Sequence, residues 1–371
     1  MTPGQAPRRV VVVGTGLIGT SAALALRCHG TQVWLSDAAP AAAELAADLG
    51  AGQVLPAAGV PGGPADVALI AVPPASVAPV LAAAQRAGLA HCYTDVASVK
   101  ARPLAQARDA GCDITRYVPG HPLAGRERSG PAAARADLFL GRTWALCPAP
   151  ETAPAAVAAV SALAAACGAE PVVTDAATHD RWVALISHAP HVVAAALAAQ
   201  LASPSVPPEA LQLAGTGLRD ATRIAVGDTA LWRQILTANA APVAQVLAAV
   251  AADLAQAARD LTAPDTGDGD AAGDKQLTEL LDQGRAGVAR IPGKRGGPAR
   301  AFTAVQVVIS DQPGELAQLF AVAAAARINI EDVGIEHSPG APVGVAELSV
   351  RPDAAGPLIT VLTDAGWPVR R

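Results

Sequence analysis

The sequence has 371 residues, a formal net charge of −5 and 51% hydrophobic residues. This length suits two or three domains, and the lack of a long basic block argues against nucleic acid as a partner. The five cysteines are scattered without a CxxC pair, which is typical of reduced thiols in a cytoplasmic protein. The most apolar long segment, about 178–202, contains charged residues and Pro190, so we expect buried helices there and no membrane span.

The N-terminal elements follow the order strand, glycine-rich turn, helix and strand, over residues 9–36. The turn consists of Gly14, Thr15, Gly16, Leu17, Ile18 and Gly19. In a dinucleotide-binding fold, the first glycine allows the tight turn, the second lets the backbone approach the pyrophosphate, and the third lets helix and strand pack closely. Asp37 ends the second strand, where its carboxylate would accept the ribose hydroxyls and repel a 2′-phosphate. The pattern therefore predicts NAD as the cofactor in preference to NADP.

Further strands are expected at 67–72, from residue 92, and at 114–118, 143–147 and 171–174. Joined by helices, they predict a Rossmann-like domain over residues 1–174, with one doubly wound parallel sheet. Val72 and Pro73 end the first of these strands, and turns at that edge of the sheet line the cofactor crevice.

Two polar residues of this domain are candidates for catalysis. His121 lies between Gly120 and Pro122, and the proline holds it in an extended conformation. Imidazole titrates near neutral pH and suits proton transfer, although a loop histidine can also simply bond a backbone carbonyl. Ser98, in the loop before a helix, either caps that helix or reaches the active site.

Residues 175–286 show helical patterns only. Pro190 should kink or interrupt its helix, while His188 and His191 lie three residues apart and share a helix face. No Glu or Cys adjoins these histidines, so we expect no metal. An all-helical layer needs a partner for its apolar faces, and a second copy of the chain is the expected one.

Asp220 and Arg223 are also three residues apart in this helical region. They form either a solvated surface pair or an acid-oriented arginine fork that binds a carboxylate ligand.

A linker is expected at 287–300, followed by a separate unit at 301–371. The elements of this unit are a strand at 302–310, a helix ending near 326, strands at 327–336 and 343–350, a helix at 352–365 and a strand at 367–369. The order βαββαβ predicts a ferredoxin-like module.

Several motifs in order along the chain resemble the prephenate dehydrogenases, the decarboxylating dehydrogenases of tyrosine biosynthesis. They are GTGLIGTS, TDVASVK, GHPLAGRERSG, THDRWVALISHAPH and GLRDATRIA. The segments ISDQPGELAQLF and INIEDVGIEH resemble an ACT domain, which in many proteins binds an amino acid and regulates an enzyme. The resemblance implies an N-terminal Rossmann-like domain, an all-helical dimerisation domain and a C-terminal ACT domain.

The resemblance also implies roles for the candidate residues. His121 matches the histidine that accepts the proton of the ring C4 hydroxyl, and Ser98 matches a serine that assists it near the nicotinamide. Arg223 matches the arginine that clamps the ring carboxylate, and Asp220 would orient that arginine.

Further matches concern the rim of the pocket and the effector site. His191 matches a residue near the pyruvyl side chain, Glu127 an acid that gates or polarises the pocket, and Trp232 an aromatic wall. Arg126 is a departure, because the resemblance leads us to expect a small or uncharged residue or lysine at this position. An aromatic amino acid effector would bind near the turn formed by Asp311, Gln312, Pro313 and Gly314.

The expected function is NAD-dependent oxidative decarboxylation of prephenate to 4-hydroxyphenylpyruvate by a cytoplasmic homodimer. The nearest alternative is arogenate dehydrogenase, which performs the same chemistry on a substrate with an amino group in place of the keto group. An alternative from another class is an inactive, NAD-binding amino acid sensor. A hydroxy-acid dehydrogenase would leave both the HPLAG segment and the C-terminal tail unexplained.

Overall fold

The structure is a computed structural model that describes residues 6–125, 128–262, 272–291, 302–337 and 342–370. The chain divides into two compact units, Met1–Ala251 and Ala252–Arg371. Most of the linker expected at 287–300 lies outside the described residues.

The first unit is built on a six-stranded parallel sheet in the order β3-β2-β1-β4-β5-β6. Its strands are β1 Arg9–Val13, β2 Gln32–Ser36, β3 Gln53–Val54, β4 Ala65–Ile70, β5 Ala90–Asp95 and β6 Tyr117–Val118. The accompanying helices are α1 Leu17–Cys28, α2 Pro40–Asp48, α3 Val77–Arg86, α4 Ala101–Asp109 and α5 Pro154–Ala166. Central strands such as β1 are apolar on both faces because helices cover both, and Val10, Val11 and Val12 are fully buried. The predicted Rossmann-like architecture is confirmed.

The last strands of this region form a second sheet, so the prediction that they complete the parallel sheet is wrong. The sheet contains β7 Gly120–Pro122, antiparallel to β8 Thr143–Leu146, and β9 Glu170–Val173, parallel to β8. The strand expected at 114–118 is reduced to β6, because residues 114–116 form a 3₁₀ turn. Pro119 has no N–H to continue a ladder after β6, and its carbonyl instead accepts from Cys147 of the second sheet. His121 thus lies within β7, opposite Ala145.

A helical region follows, and it opens with α6 Ala176–Val183 and α7 Ala189–Leu201. A π turn, Ala184–His188, joins these two helices just before Pro190. Pro190 cannot donate to the carbonyl four residues earlier and would clash with it, so the widened turn is the interruption that the proline imposes. The other helices are α8 Pro208–Leu211, α9 Thr216–Thr222, α10 Thr229–Ala238, α11 Ala240–Thr262 and α12 Ala272–Ala289.

Two helical stretches, Ala176–Leu201 and Ala240–Thr262, are long and apolar enough to cross a membrane by length and composition alone. Buried core helices of soluble proteins pass the same test. The first stretch carries four buried polar side chains, those of His179, Asp180, His188 and His191. Burying these groups in lipid would be unfavourable, whereas a protein interior can supply their hydrogen bonds.

The second unit contains a four-stranded antiparallel sheet in the order β11-β12-β10-β13. Its elements are β10 Thr303–Ser310, α13 Glu315–Ala325, β11 Asp332–His337, β12 Val343–Val350, α14 Pro352–Asp364 and β13 Val369–Arg370. Alternate residues of β10 and β12, such as Val307 and Leu348, are buried against Leu358 of α14. The strand expected from residue 327 begins only at Asp332. Arg327 has a φ of 57° and ends the preceding helix in the left-handed conformation.

Candidate active site

The glycine-rich turn after β1 has the geometry that a bound pyrophosphate requires. Gly14 has a φ of 102°, and a Cβ there would lie 2.2 Å from the Ala71 carbonyl oxygen. A Cβ at Gly19 would lie 1.9 Å from the Gly14 carbonyl oxygen, so only glycine lets α1 pack this close. At Gly16 a Cβ would meet no protein atom within 4 Å, and no side chain caps α1 there. Open space beside uncapped N–H groups at a helix N-terminus suits the phosphates of NAD.

Asp37 lies directly after β2 and faces the same turn. Its carboxylate accepts hydrogen bonds from the Thr15 backbone N–H at 2.6 Å and the Thr15 hydroxyl at 3.0 Å. The Ala39 N–H also donates to it, at 2.9 Å. The negative charge is therefore held at the position where the ribose of the cofactor is expected. Val72 and Pro73 follow β4 and are half-buried and exposed, respectively.

A buried polar network lies behind the second sheet. The Lys100 ammonium contacts Asp95, and both side chains are fully buried. The ammonium also donates to the Gly120 carbonyl at 2.6 Å, and the Tyr117 hydroxyl donates to Asp95 at 2.6 Å. Burial, together with the Asp95 charge, raises the pKa of Tyr117 well above its usual value, so the phenol stays protonated. The network fixes the backbone of Gly120, and therefore the position of the residue that follows it.

His121 is half-buried, and its Nδ1 lies 3.0 Å from Nε2 of His179. Burial lowers the pKa of His121 well below its usual value, and the nearby Lys100 ammonium lowers it further. The ring is therefore neutral near pH 7, which is the state that can accept a proton.

His179 and Asp180 connect this histidine to the start of α4. His179 Nδ1 lies 2.8 Å from Asp180 Oδ1. The Asp180 carboxylate also accepts from the backbone N–H groups of Lys100 at 2.8 Å and Ala101 at 2.9 Å. Asp180 thus caps α4, and the capping role considered for Ser98 is wrong. Ser98 is half-buried two residues before Lys100, and its side chain bonds to none of the described residues.

A second group of side chains extends the cluster. The Asn239 amide nitrogen donates to the Asp180 carbonyl at 2.8 Å and to His188 Nδ1 at 3.1 Å. Burial lowers the pKa of His188 to about 4 and keeps it neutral. Its Nε2 is buried without a hydrogen-bond partner among the described residues. Since Asn239 donates to Nδ1, the hydrogen of the neutral ring is on Nε2, an unpaired donor.

His191 and Trp232 form an aromatic pair beside this group. Their rings stack with centroids 3.5 Å apart and an interplanar angle of 11°. The Trp232 ring also meets His188 edge-on at 6.2 Å. A Cβ at Gly227 would lie 2.3 Å from Trp232 Nε1, so this glycine allows the indole to reach the histidines.

Arg223 is exposed in the 3₁₀ turn Arg223–Ala225. The next residue, Ile224, hydrogen-bonds His191 through its backbone, so the arginine begins a segment that contacts the aromatic pair. No ion pair joins Asp220 to Arg223 in the described parts of the chain, so the structure does not show the predicted orientation of the arginine by this acid. Arg126 and Glu127 lie outside the described residues.

Most of the polar residues that hold the site together are not predicted from the sequence, namely Asp95, Lys100, Tyr117, His179, Asp180 and Asn239. Asp95 and Lys100 belong to the motif TDVASVK, in which only Ser98 is a predicted site residue. The adjacent pair His179-Asp180, inside an otherwise apolar segment, was the available signal, because such residues are seldom buried without partners.

Comparison with known proteins is consistent across the chain. Residues 22–173 match the description "Prephenate dehydrogenase, nucleotide-binding domain" and residues 175–282 match "Prephenate dehydrogenase, dimerization domain". The "Probable prephenate dehydrogenase NovF" of Streptomyces niveus is 41% identical over 97% of this chain and 99% of its own length. The "Prephenate dehydrogenase" of Bacillus subtilis is 29% identical over 93% of this chain and 92% of its own.

Two solved structures agree with this assignment. The prephenate dehydrogenase from A. aeolicus in complex with hydroxyphenyl propionate and NAD⁺ has a TM-score of 0.66 and 26% identity, over 76% of this chain and 97% of its own. Synechocystis arogenate dehydrogenase has a TM-score of 0.62 and 26% identity, over 76% of this chain and 98% of its own. This chain belongs to the prephenate dehydrogenase family and is an oxidoreductase with an NAD-binding domain.

Proposed function

We propose that this chain catalyses the NAD-dependent oxidative decarboxylation of prephenate to 4-hydroxyphenylpyruvate, with His121 as the proton acceptor. The observation that carries the proposal is a neutral, half-buried imidazole at the same sheet edge as the glycine turn. The turn follows β1, Asp95 ends β5, and His121 follows β6, all at the carboxyl ends of parallel strands. Ligands of such sheets bind at that edge.

The chain's residues supply alignment and proton acceptance. NAD, when bound, supplies the acceptor for the hydride that leaves ring carbon C4. Neutral His121 takes the proton of the C4 hydroxyl as the hydride leaves C4. The bond from C1 to the carboxylate breaks, CO2 departs, and the electron pair of that bond enters the ring, which becomes aromatic with a phenolate oxygen at C4. His121 returns the proton to this oxygen and is neutral again. Ser98 assists His121, and Arg223 holds the ring carboxylate. Because aromatisation drives the reaction, positioning is the main task of the protein.

Arogenate is the second candidate substrate, since the Synechocystis neighbour is an arogenate dehydrogenase. We favour prephenate because His191 and Trp232 would face the side chain of the substrate, where it carries a keto group. The test is an assay of NADH formation with each substrate, in which prephenate should give the higher kcat/KM. A preference for arogenate would overturn the choice of substrate. No NADH with either would support an inactive NAD-binding sensor.

Asp37 should set the choice of cofactor. Asp37→Ala is expected to weaken NAD⁺ binding and to relax discrimination against NADP⁺, because the mutation removes a carboxylate that would repel the 2′-phosphate. The measurement is kcat/KM for both cofactors, in wild type and variant. Asp48→Ala, at the end of α2, changes the net charge equally and should leave the ratio unchanged. A wild-type enzyme that prefers NADP⁺ would contradict the charge argument.

The domain boundaries proposed are 1–174 for NAD binding, 175–286 for the substrate and dimerisation domain, 287–300 for the linker and 301–371 for an ACT domain. A homodimer fits the match to a dimerization domain, and the location proposed for it is the cytoplasm. The helix α11 supports it, because most of its residues are exposed although the helix is apolar. A second copy would cover that apolar surface.

For the C-terminal unit we propose an ACT fold that binds an aromatic amino acid. The order of its elements, βαββαβ, supports this. The turn formed by Asp311, Gln312, Pro313 and Gly314 is exposed between β10 and α13, and Gly314 begins that helix with a φ of 94°. A short turn of this kind leaves backbone groups available to a small zwitterion.

Tyrosine or phenylalanine should bind the whole protein and change its activity. Calorimetry with the full chain is expected to show binding of one of them, with L-alanine as the control ligand. Gln312→Ala should weaken the binding and leave kcat without effector unchanged. If no amino acid binds, or if binding leaves activity unchanged, regulation through this unit is excluded.

A further inference from the structure

We infer that His179 and Asp180 are positioning residues that hold His121 in the tautomer with hydrogen on Nδ1, so that Nε2 is the atom that accepts the proton. The inference deepens the proposed function and rests on it in one respect, the role of His121 as acceptor. It assigns that role to a particular nitrogen and names the groups that impose it.

The carboxylate of Asp180 is the fixed end of the chain of hydrogen bonds. It is 3% exposed and accepts from two backbone N–H groups, those of Lys100 and Ala101. These are the first N–H groups of α4, where an anion is stabilised by the helix terminus. Both donors are backbone groups and cannot reverse their direction. Asp180 is therefore an acceptor, and its bond with His179 needs a hydrogen on Nδ1 of that ring.

The hydrogen on Nδ1 of His179 determines which nitrogen of His121 carries a hydrogen. A neutral His179 with hydrogen on Nδ1 has a lone pair on Nε2, which lies 3.0 Å from Nδ1 of His121. The His121 ring must then donate from Nδ1, and its own lone pair is left on Nε2. In a histidine, the bond made by one nitrogen sets the protonation of the other.

The same arrangement suits the charged form that His121 takes after it accepts the proton. The imidazolium keeps its Nδ1–H bond to His179, and the Asp180 charge lies just beyond. Asp95 is already paired with Lys100, whereas Asp180 has no lysine or arginine partner among the residues that the structure describes. An unneutralised carboxylate behind a neutral histidine can stabilise the cation that forms, as an orienting acid does in other catalytic dyads.

Capping α4 alone would explain Asp180, but it would not explain why the bond continues through His179 to His121. The test therefore replaces His179 and leaves the cap in place. His179→Leu removes both bonds of the ring at similar bulk. His179→Gln can place an amide oxygen near the former Nε2 and accept from His121. His29→Leu replaces an exposed histidine and is the matched control.

His179→Leu should lower kcat by about 10- to 100-fold, the usual effect of removing the partner that orients a functional histidine. The KM for prephenate and the Kd for NAD⁺ should change less than threefold. His179→Gln should recover most of kcat, and His29→Leu should match wild type. Wild-type kcat in His179→Leu would overturn the inference. So would a glutamine variant as slow as the leucine variant while both bind NAD⁺ normally.

The tautomer itself can be read without any substrate. In ¹⁵N NMR spectra of the histidine-labelled full chain, His121 should show hydrogen on Nδ1 and a lone pair on Nε2 in wild type. This preference should be lost in His179→Leu. The opposite tautomer in wild type would overturn the inference even if the enzyme is active. The expected tautomer in a protein that oxidises neither substrate would leave the positioning intact and defeat the proposed function instead.

Discussion

Replacement of His121 by asparagine is expected to lower kcat by about 10²- to 10⁴-fold, the usual contribution of a positioned general base. The asparagine amide can still donate to His179, so the local hydrogen bonding should survive while the proton acceptor is lost. The Kd for NAD⁺ should stay near the wild-type value, because the glycine turn follows β1 of the six-stranded sheet, whereas His121 lies in β7 of the second sheet. Steady-state kinetics and calorimetry measure the two quantities.

The pH dependence of the wild-type enzyme also tests the role of His121 as proton acceptor. Only neutral His121 can accept a proton, and burial lowers its pKa well below 6.5. Activity should therefore hold as the pH falls from 7 through 6.5 and decline only at lower pH, where the ring becomes protonated. His91→Asn, at an exposed histidine of β5, serves as the control. Near-normal turnover in His121→Asn would remove this residue from the mechanism.

The dinucleotide half of the fold could be predicted because its signals are local. The alternation of valine-rich strand, glycine turn and helix depends on neighbours within about 30 residues, and Asp37 follows from the same unit. The second sheet could not be predicted this way. Strands β8 and β9 are apolar like the strands of the first sheet, and the pairing of β8 with β7 and β9 depends on long-range contacts formed after Pro119.

In the candidate site, too, only the residues with local sequence signals could be predicted. His121 is recognisable from its glycine and proline neighbours, but its partner His179 is 58 residues away and Asn239 is a further 60. Only the tertiary fold brings these three together with the start of α4. The orientation of Arg223 by Asp220 stays a prediction. Spacing on a helix permits such a contact but does not require it, and both residues are exposed to water.

Two glycines of the cofactor turn are expected to fail in different ways when replaced by alanine, and this separates packing from binding. Gly19→Ala puts a Cβ against the Gly14 carbonyl and the Ala71 side chain. It should destabilise the folded state by about 1–3 kcal/mol, as overpacking usually does, and thereby lower Tm.

Gly16→Ala should change Tm little, because Gly16 has a φ of −71° and a Cβ at this position meets no protein atom within 4 Å. Its Cβ occupies the space that a pyrophosphate would approach, and the Kd for NAD⁺ should rise by about 10- to 100-fold, which corresponds to roughly 1.4–2.8 kcal/mol. Thermal unfolding without cofactor and NAD⁺ calorimetry measure the two effects, and Gly284→Ala in α12, with open space around it, is the control for both. Wild-type NAD⁺ affinity in Gly16→Ala would place the phosphates elsewhere, and an unchanged Tm in Gly19→Ala would contradict the close packing of α1 on its turn.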